Sequence, residues 1–368
     1  MKKVSKISLL LISLVALIST FSGVETVLAQ ELQQDLQGVW RAEVLKIIKE
    51  EKKLIAGTET EVIIQTLEAK ILEGDKSGQT VTLVNDYLPL QVGDSFFMNY
   101  LITIDGNEIY SVRDIDRRSA LIFFTLLFVA VIIYFGRWQG LRSIMSLFGT
   151  FLVIIYFLLP LLLKGYPPVL TSSLIAAAIL FLAIFLTHGF NRESGVAFSG
   201  TVIAVILTGI LASVAVRMTR LTGFGNEEAV YLNFATLGNL NFSGLLLGGI
   251  IVGVLGVLDD IAITQVAVVR ELKESVHNLS KKEIYHKAMR VGREHAGALV
   301  NTLALAYAGA TLPLLLLFSV SQIEFGMILN QEAVATEIIR TIIGSIGLIL
   351  TIPITTTLAV YFLGPRHD

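Results

Sequence analysis

Residues 244–265 read GLLLGGIIVGVLGVLDDIAITQ, an apolar run whose only charged residues are two adjacent aspartates near its end, Asp259 and Asp260. A helix needs about 20 predominantly apolar residues to cross the ~30 Å hydrocarbon core of a bilayer. The run has that length. It therefore predicts a membrane-spanning helix that carries carboxylates among apolar side chains.

The composition of the whole chain agrees with a membrane protein. Hydrophobic residues make up 54% of it and charged residues 16%, against about 25% charged in soluble domains. The net charge of −2 offers no basic surface, so nucleic acid is not an expected partner. The chain has no cysteine, which excludes disulfides and thiol chemistry. The lipid bilayer is the first expected partner.

Apolar segments of spanning length recur throughout residues 119–368. This region predicts a membrane all-α bundle of about seven transmembrane helices. The segments are 120–135, 143–163, 169–187, 196–216, 245–266, 296–320 and 338–363.

The first residues have the pattern of an export signal. Lys2, Lys3 and Lys6 precede a short apolar run over 7–18, and Val-Leu-Ala at 27–29 supplies a cleavage pattern. We expect residues 1–29 to be a cleaved signal peptide, with an uncleaved anchor as the alternative. Either way, residues 30–118 are expected outside the cytoplasmic membrane.

Residues 30–118 predict a β-rich extracytoplasmic domain. Short runs of β-branched and aromatic residues alternate with turn formers, as in a small β-barrel of OB or SH3-like type. No metal, catalytic or aromatic-platform grouping is visible there, so a docking or spacer role is favoured. The expected strands are 39–47, 61–71, 79–84, 95–104 and 108–112.

The distribution of lysine and arginine predicts the orientation of the helices. Beyond the first span, eleven of these residues fall in the loops 136–142, 188–194 and 267–295 or near the C-terminus, and four fall on the other side. These loops and the C-terminus are therefore assigned to the cytoplasm. Residues 217–241 form the longest loop on the opposite side. They predict a short surface helix, with a re-entrant lid as the alternative.

Asp259 and Asp260 are the strongest candidates for a functional site. An aspartate inside a span costs about 2.5–3.5 kcal/mol on insertion scales, so something must solvate it. One interpretation is a cap wetted by cytoplasmic water, and the other is a cation or proton site in an aqueous cavity, with Thr264 one turn further along.

A second polar stripe is predicted on the following helix, after a capping box at Ser280 to Glu283. We expect Asn301 to reach the depth of Asp260, and the two side chains to meet or merely to hydrogen-bond as packing groups. Pro313 predicts a kink further along. The candidate pathway residues on this helix are Glu294, Asn301, Thr302 and Tyr307.

Glycines in the fifth predicted span follow small-xxx-small spacing, which lets another helix approach closely. Such a face suits packing within the chain or a seam between two copies, so a homo-oligomer or a related membrane subunit is a possible partner. The residues are Gly244, Gly248, Gly249, Gly253 and Gly256.

Three motifs carry a resemblance to a known family. They are GRWQGLR at 136–142, GVLGVLDD at 253–260, and GRE at 292–294 with NTLALAY at 301–307. Over residues 119–363 the chain resembles the YibE/F-like membrane proteins, and its signal and outer domain resemble the longer, YibE-type form. The resemblance matches Asp260 more firmly than Asp259 and implies a permease-like protein without naming a substrate.

The functional hypothesis from sequence is a permease-like transporter or channel for an unknown small solute or ion, with proton or cation coupling. The alternative is a membrane-anchored assembly component whose outer domain docks another envelope protein. An enzyme is not expected, because both aspartates lie on one helix and no second acid matches their depth. No cofactor and no metal is expected.

Overall fold

Alternating apolar residues between positions 37 and 115 form a five-stranded antiparallel sheet. The computed structural model describes residues 37–54, 61–103, 107–275, 279–321 and 323–364, so the predicted signal peptide lies outside the described residues. The sheet order is β3-β2-β1-β4-β5. The strands are β1 (Gln37–Leu54), β2 (Glu61–Ile71), β3 (Thr80–Asn85), β4 (Ser95–Ile102) and β5 (Glu108–Ile115).

The sheet curls into a half-barrel around one apolar face. On β4 every second residue, Phe96, Met98 and Tyr100, is buried, which is the period expected of a strand with one face in a core. The edge strands β3 and β5 come close to each other, and an ion pair between Lys76 and Glu108 bridges the gap. The prediction of five strands is confirmed. They form a half-barrel, in place of the small β-barrel expected from the sequence.

An aromatic stack closes one end of this core. The rings of Trp40 and Tyr100 stack with centroids 4.3 Å apart, and Tyr110 continues the stack at 5.4 Å. Gly74, at φ +89°, lies directly over Trp40, where any side chain would collide with the indole. The sequence did not indicate this stack, because only the pairing of β4 with β1 and β5 brings the three rings together.

Asp116, just after β5, joins two arginines at the buried end of the sheet. Its side chain is 1% exposed and contacts Arg41 Nε at 2.7 Å and Arg118 Nε at 2.9 Å. Hydrogen bonds from Arg118 hold the pKa of the Asp116 carboxyl down at about 2. The ionised carboxylate therefore stabilises the folded sheet, and that stabilisation is lost once acid protonates it.

We predict that the β-sheet unit loses stability as the pH falls from about 4 through 2, because the pKa of Asp116 is lowered on folding. Asp116→Asn should remove part of this pH dependence and cost about 1.5–3 kcal/mol at neutral pH, the range for a hydrogen bond to a charged group. Trp40 fluorescence in a Trp138→Phe background reports the unfolding. A variant that keeps the full pH dependence would contradict this role.

The remaining chain is helical. One compact unit ends at Ala130 and a second begins at Val131. A π-helical turn over Ile154–Leu158 separates the first two helices. The helices are α1 (Arg118–Val153), α2 (Leu159–Leu163), α3 (Pro168–His188), α4 (Arg192–Thr219), α5 (Glu227–Ala235), α6 (Phe242–Ser275), α7 (Lys281–Ala310), α8 (Leu312–Val320), α9 (Phe325–Asn330) and α10 (Glu332–Leu363).

By length and composition, five helices in the described chain could cross a membrane, or six if the bent pair α7 and α8 forms one span. The predicted number of seven is thus not confirmed. The difference arises because the first two predicted spans form one helical stretch of 46 residues, Arg118–Leu163.

This long stretch contains a sharp turn. At Arg137 the backbone leaves helical geometry, with φ 47° and ψ −127°. A Cβ on Gly140 would lie only 3.0 Å from the carbonyl carbon of Ile132, although residues eight apart in a straight helix are separated by about 12 Å. The chain therefore turns sharply at Arg137.

Three local predictions are confirmed. Ser280 and Glu283 form the expected capping box at the start of α7. The chain bends by 63° between α7 and α8, where Pro313 stands in the first turn of α8. The loop after α4 contains the expected short helix, α5, and Asn226 caps its N-terminus by accepting a hydrogen bond from the Ala229 amide at 3.1 Å.

Helices α4, α6 and α10 pack closely around a common interior. Leu258 of α6 and Leu348 of α10 are fully buried there. The approach depends on small residues, because a side chain at Gly347 would collide with Thr208, and one at Gly200 with Thr355. Close backbone approach of this kind supplies much of the contact energy between helices in lipid.

The hydroxyl groups in this interior are mostly satisfied within their own helices. Thr201, Thr208 and Thr351 each donate to the carbonyl four residues earlier, at 2.7–2.9 Å. Among the described residues, the hydrogen bond from Thr356 Oγ1 to Gln265 Oε1, 2.9 Å long, is the one side-chain bond that crosses between helices in this interior. Packing therefore holds the three helices together more than polar contacts do.

We predict that Gly347→Ala lowers the melting temperature of the protein in detergent, measured by circular dichroism. The added methyl would overlap Thr208, and overpacking typically costs about 1–3 kcal/mol. Gly297→Ala is the matched control, since no atom lies within 4 Å of its added methyl and alanine favours helix by about 1 kcal/mol. Equal melting temperatures would contradict the packing described here.

Candidate functional site

A polar cavity of about 550 Å³ lies between the part of α1 after Arg137, α3 and α6. Its apolar wall comes from residues such as Leu180 and Leu255. We call it the aspartate cavity. Its hydroxyl, imidazole and carboxylate groups belong to Ser143, Ser146, Thr150, Thr187, His188, Asp259 and Asp260.

Asp259 is the least satisfied polar group in this cavity. Its Oδ1 is buried and has no hydrogen-bond partner. Among the ion pairs of the described residues, none involves Asp259 or Asp260. An ionised carboxylate in apolar surroundings is expensive unless water, a cation or a donor solvates it. The cavity beside Asp259 provides room for such a partner.

Asp260 faces the same cavity from the next position of α6. Its side chain interacts electrostatically with His188, the last residue of α3. The backbone carbonyl of Asp260 accepts a hydrogen bond from Thr264 Oγ1 at 2.7 Å, so Thr264 is satisfied within α6. Two carboxylates and an imidazole therefore share one chamber.

His188 lines this cavity, and the sequence analysis did not single it out as a site residue. The depth of His188 in the membrane was the signal that could have identified it. The predicted orientation puts the end of the third span near the level of Asp259 and Asp260. Only the packing of α3 against α6 shows that these two helix faces meet.

The structure does not bring the second predicted stripe to the aspartates. Glu294, Asn301 and Thr302 are exposed on α7 and do not line the aspartate cavity. The buried face of α7 is instead formed by smaller and apolar residues such as Gly292 and Ala296. Thr302 donates to the Ala298 carbonyl at 3.0 Å. The meeting of Asn301 with Asp260 expected from equal depth is therefore absent.

The glycines of α6 separate into two groups. Gly244 and Gly248 lie against Pro168 and Ser172 of α3, where little space remains for a side chain. By contrast, positions 249, 253 and 256 are exposed, and the helical period puts them on the same face as Asp260.

That exposed face reaches a second chamber, of about 610 Å³, which we call the glutamate cavity. Gly249 lines this cavity, and Gly256 lines the aspartate cavity. Between them, a Cβ on Gly253 would lie 3.5 Å from Tyr307 Oη. The acidic and basic side chains of the glutamate cavity are Glu227, Glu228, Glu337 and Arg340.

Within the described ranges, no group of three or more His, Asp or Glu side chains is placed to hold a metal ion. The chemistry available in the aspartate cavity is that of two carboxylates, an imidazole and several hydroxyls.

Long apolar helices, close small-residue packing and carboxylates in an internal cavity together define a multi-pass membrane protein. The chain belongs to the YibE/F-like protein family, whose model matches residues 124–365. This confirms the resemblance inferred from the three motifs. No curated protein and no solved structure matches the chain significantly.

We predict that the aspartate cavity is reached by water and prefers cations. The chain has no cysteine, so Ser143→Cys introduces a single thiol into the cavity wall. A cationic methanethiosulfonate reagent should modify it about tenfold faster than an anionic one, because the two carboxylates attract cations.

Ala262→Cys is the matched control for that experiment, since Ala262 is fully buried on the same helix as the aspartates. It should not react. The double change Asp259→Asn with Asp260→Asn should abolish the preference for the cationic reagent at Ser143→Cys. Equal rates for both reagents in the otherwise unchanged chain would contradict a cation-attracting cavity.

Proposed function

We propose that this protein is a permease-like transporter or channel of the cytoplasmic membrane, in which the aspartate cavity binds a proton or cation during transport. The observation that supports this most directly is the buried, unpartnered carboxylate oxygen of Asp259 beside a cavity large enough for water or an ion. A carboxylate serving only as an interfacial cap would be wetted by open solvent.

The arrangement of α6 supports a route through the helical unit. Gly249 and Gly256 line different cavities, and about 10 Å of helix axis separates residues seven apart. No atom lies within 4 Å of a Cβ built at either position. We infer that a solute passes along this glycine face, beside Tyr307, whose Oη lies 3.5 Å from the Cβ position of Gly253.

We further propose seven membrane crossings, with residues 30–118 outside and the C-terminus in the cytoplasm. The break in helical geometry at Arg137 supports two crossings within Arg118–Leu163, because 46 residues make about 69 Å of helix, more than twice the ~30 Å core. With the α7 and α8 pair as one span, the total becomes seven. The distribution of lysine and arginine supports this orientation.

The proposal is tested by proton and potassium flux into proteoliposomes, followed with a pH-sensitive dye and an imposed potassium gradient. We expect Asp259→Asn to reduce flux at least about tenfold, since a neutral amide loses the charge that attracts the cation. Asp260→Asn should reduce it as well. Both variants should elute from a sizing column like the unchanged protein, because an amide of the same size costs less than a carboxylate among apolar helices.

Glu294→Gln and Asn301→Ala are the controls, since both residues lie outside the aspartate cavity. Their flux should equal that of the unchanged chain. Flux that survives Asp259→Asn but disappears in Asn301→Ala would contradict the proposal and move the pathway to the exposed face of α7.

A further inference from the structure

The glutamate cavity has two polar walls, one on α10 and one on α5, and neither has a role in the proposed function. On the α10 side stand the Thr336 hydroxyl and the Arg340 guanidinium, and at the other side stand Glu227 and Glu228 in the first turn of α5. The α10 wall offers hydrogen-bond donors, since the charge of Arg340 is balanced by Glu337, and the α5 wall offers negative charges.

On the α10 side, two buried groups lack partners. Thr336 is 8% exposed and its Oγ1 has no hydrogen bond. Arg340 Nε is also buried and unpaired, although another nitrogen of the same guanidinium, Nη1, lies 3.3 Å from Glu337 Oε1. Residues four apart share one helix face, so both unpaired groups are available to the same oxygen atoms. A buried donor without an acceptor is costly, and a bound oxyanion would relieve that cost.

On the α5 side, the charged side chains are carboxylates. Within the described chain, Glu227 and Glu228 take part in no ion pair or side-chain hydrogen bond, and both are exposed at the cavity wall. The pair of Arg340 with Glu337 leaves these two carboxylates as the uncompensated charge of the chamber. They favour a cationic group, and they would repel a ligand that carries only negative charge.

We propose that the glutamate cavity binds a small zwitterion that carries a carboxylate and an ammonium group, as an α-amino acid does. The carboxylate accepts from Arg340 Nε and the Thr336 hydroxyl, and the ammonium lies near Glu227 and Glu228. A simple cation would leave the donors of α10 unsatisfied, and a simple anion would meet the two glutamates.

The size and the remaining surface of the cavity fit this ligand class. Its volume of about 610 Å³ falls within the range of about 300–1,000 Å³ for small-molecule sites. Apolar side chains complete the wall, including Leu232, Leu245 and Leu314, so an apolar side chain on the amino acid has a surface to contact. This inference rests on the proposed function, for which it names the class of transported solute.

The experiment compares three ligands of the same carbon skeleton by calorimetric titration of the full chain in detergent. They are leucine, 3-methylbutylamine, which lacks the carboxylate, and 4-methylpentanoate, which lacks the ammonium. Leucine should bind at least about tenfold more tightly than either of the others, since each loses one charge-assisted contact. No binding of leucine, or equal binding of the amine, would overturn the inference.

Variants assign each charge to its partner. Arg340→Gln should weaken leucine at least about tenfold and leave the amine unaffected, whereas Glu228→Gln should weaken both. Thr336→Val tests the same oxygen contact without disturbing the Arg340 and Glu337 pair, should Arg340→Gln fail to fold. Glu324→Gln, an exposed carboxylate outside the cavity, should change nothing. Leucine binding that survives both Thr336→Val and Glu228→Gln would overturn the assignment.

Failure of this inference can be distinguished from failure of the proposed function. Asp259→Asn alters the other cavity, so it should leave leucine binding unchanged while reducing flux. Loss of leucine binding in Asp259→Asn would overturn the assignment of leucine to the glutamate cavity. Flux lost in Asp259→Asn together with no leucine binding in the unchanged chain would support transport and overturn only the zwitterion site.

Discussion

A carboxylate placed among apolar helices must be solvated, and the arrangement around Asp259 follows from that requirement. Asp259 Oδ1 has no hydrogen-bond donor in the described chain. The cavity beside it must therefore hold the group that solvates it. That space exists because the part of α1 after Arg137 and α3 leave a chamber against α6. Polar groups such as Ser146 and His188 line the chamber together with apolar residues such as Leu180 and Leu255.

The sequence predicted those parts of the fold that depend on local pattern. The alternation of apolar and polar residues predicted five strands, and the capping box of Ser280 and Glu283 predicted the start of α7. Apolar length identified the helices, although Arg118–Leu163 formed one stretch where two spans were expected. A loop of seven residues with two arginines looks like a connection between spans, whereas the structure keeps helix on both sides of Arg137.

For the site, the sequence identified the residue types but not their partners. Depth in the bilayer can be read from position along a span, and it singled out Asp259 and Asp260 as groups in need of solvation. Which helix faces which is decided by close contacts such as Gly248 against Ser172, and these have no signature in a single sequence. Depth alone therefore paired Asp260 with Asn301, whereas the packing of α3 brought His188 instead.

The self-satisfied threonines of α4 and α10 have a mechanical consequence. Because Thr208 and Thr351 donate to their own helices, the contact between α4 and α10 depends on packing, and Thr356 and Gln265 form the hydrogen bond between α10 and α6. Small shear motions of packed helices are a common form of conformational change. Sliding α10 by a fraction of a turn would move Arg340 relative to α6, and the bonds that resist it lie at the start of α10, where Glu332 accepts from the Gly223 and Phe224 amides at 2.6 and 3.1 Å.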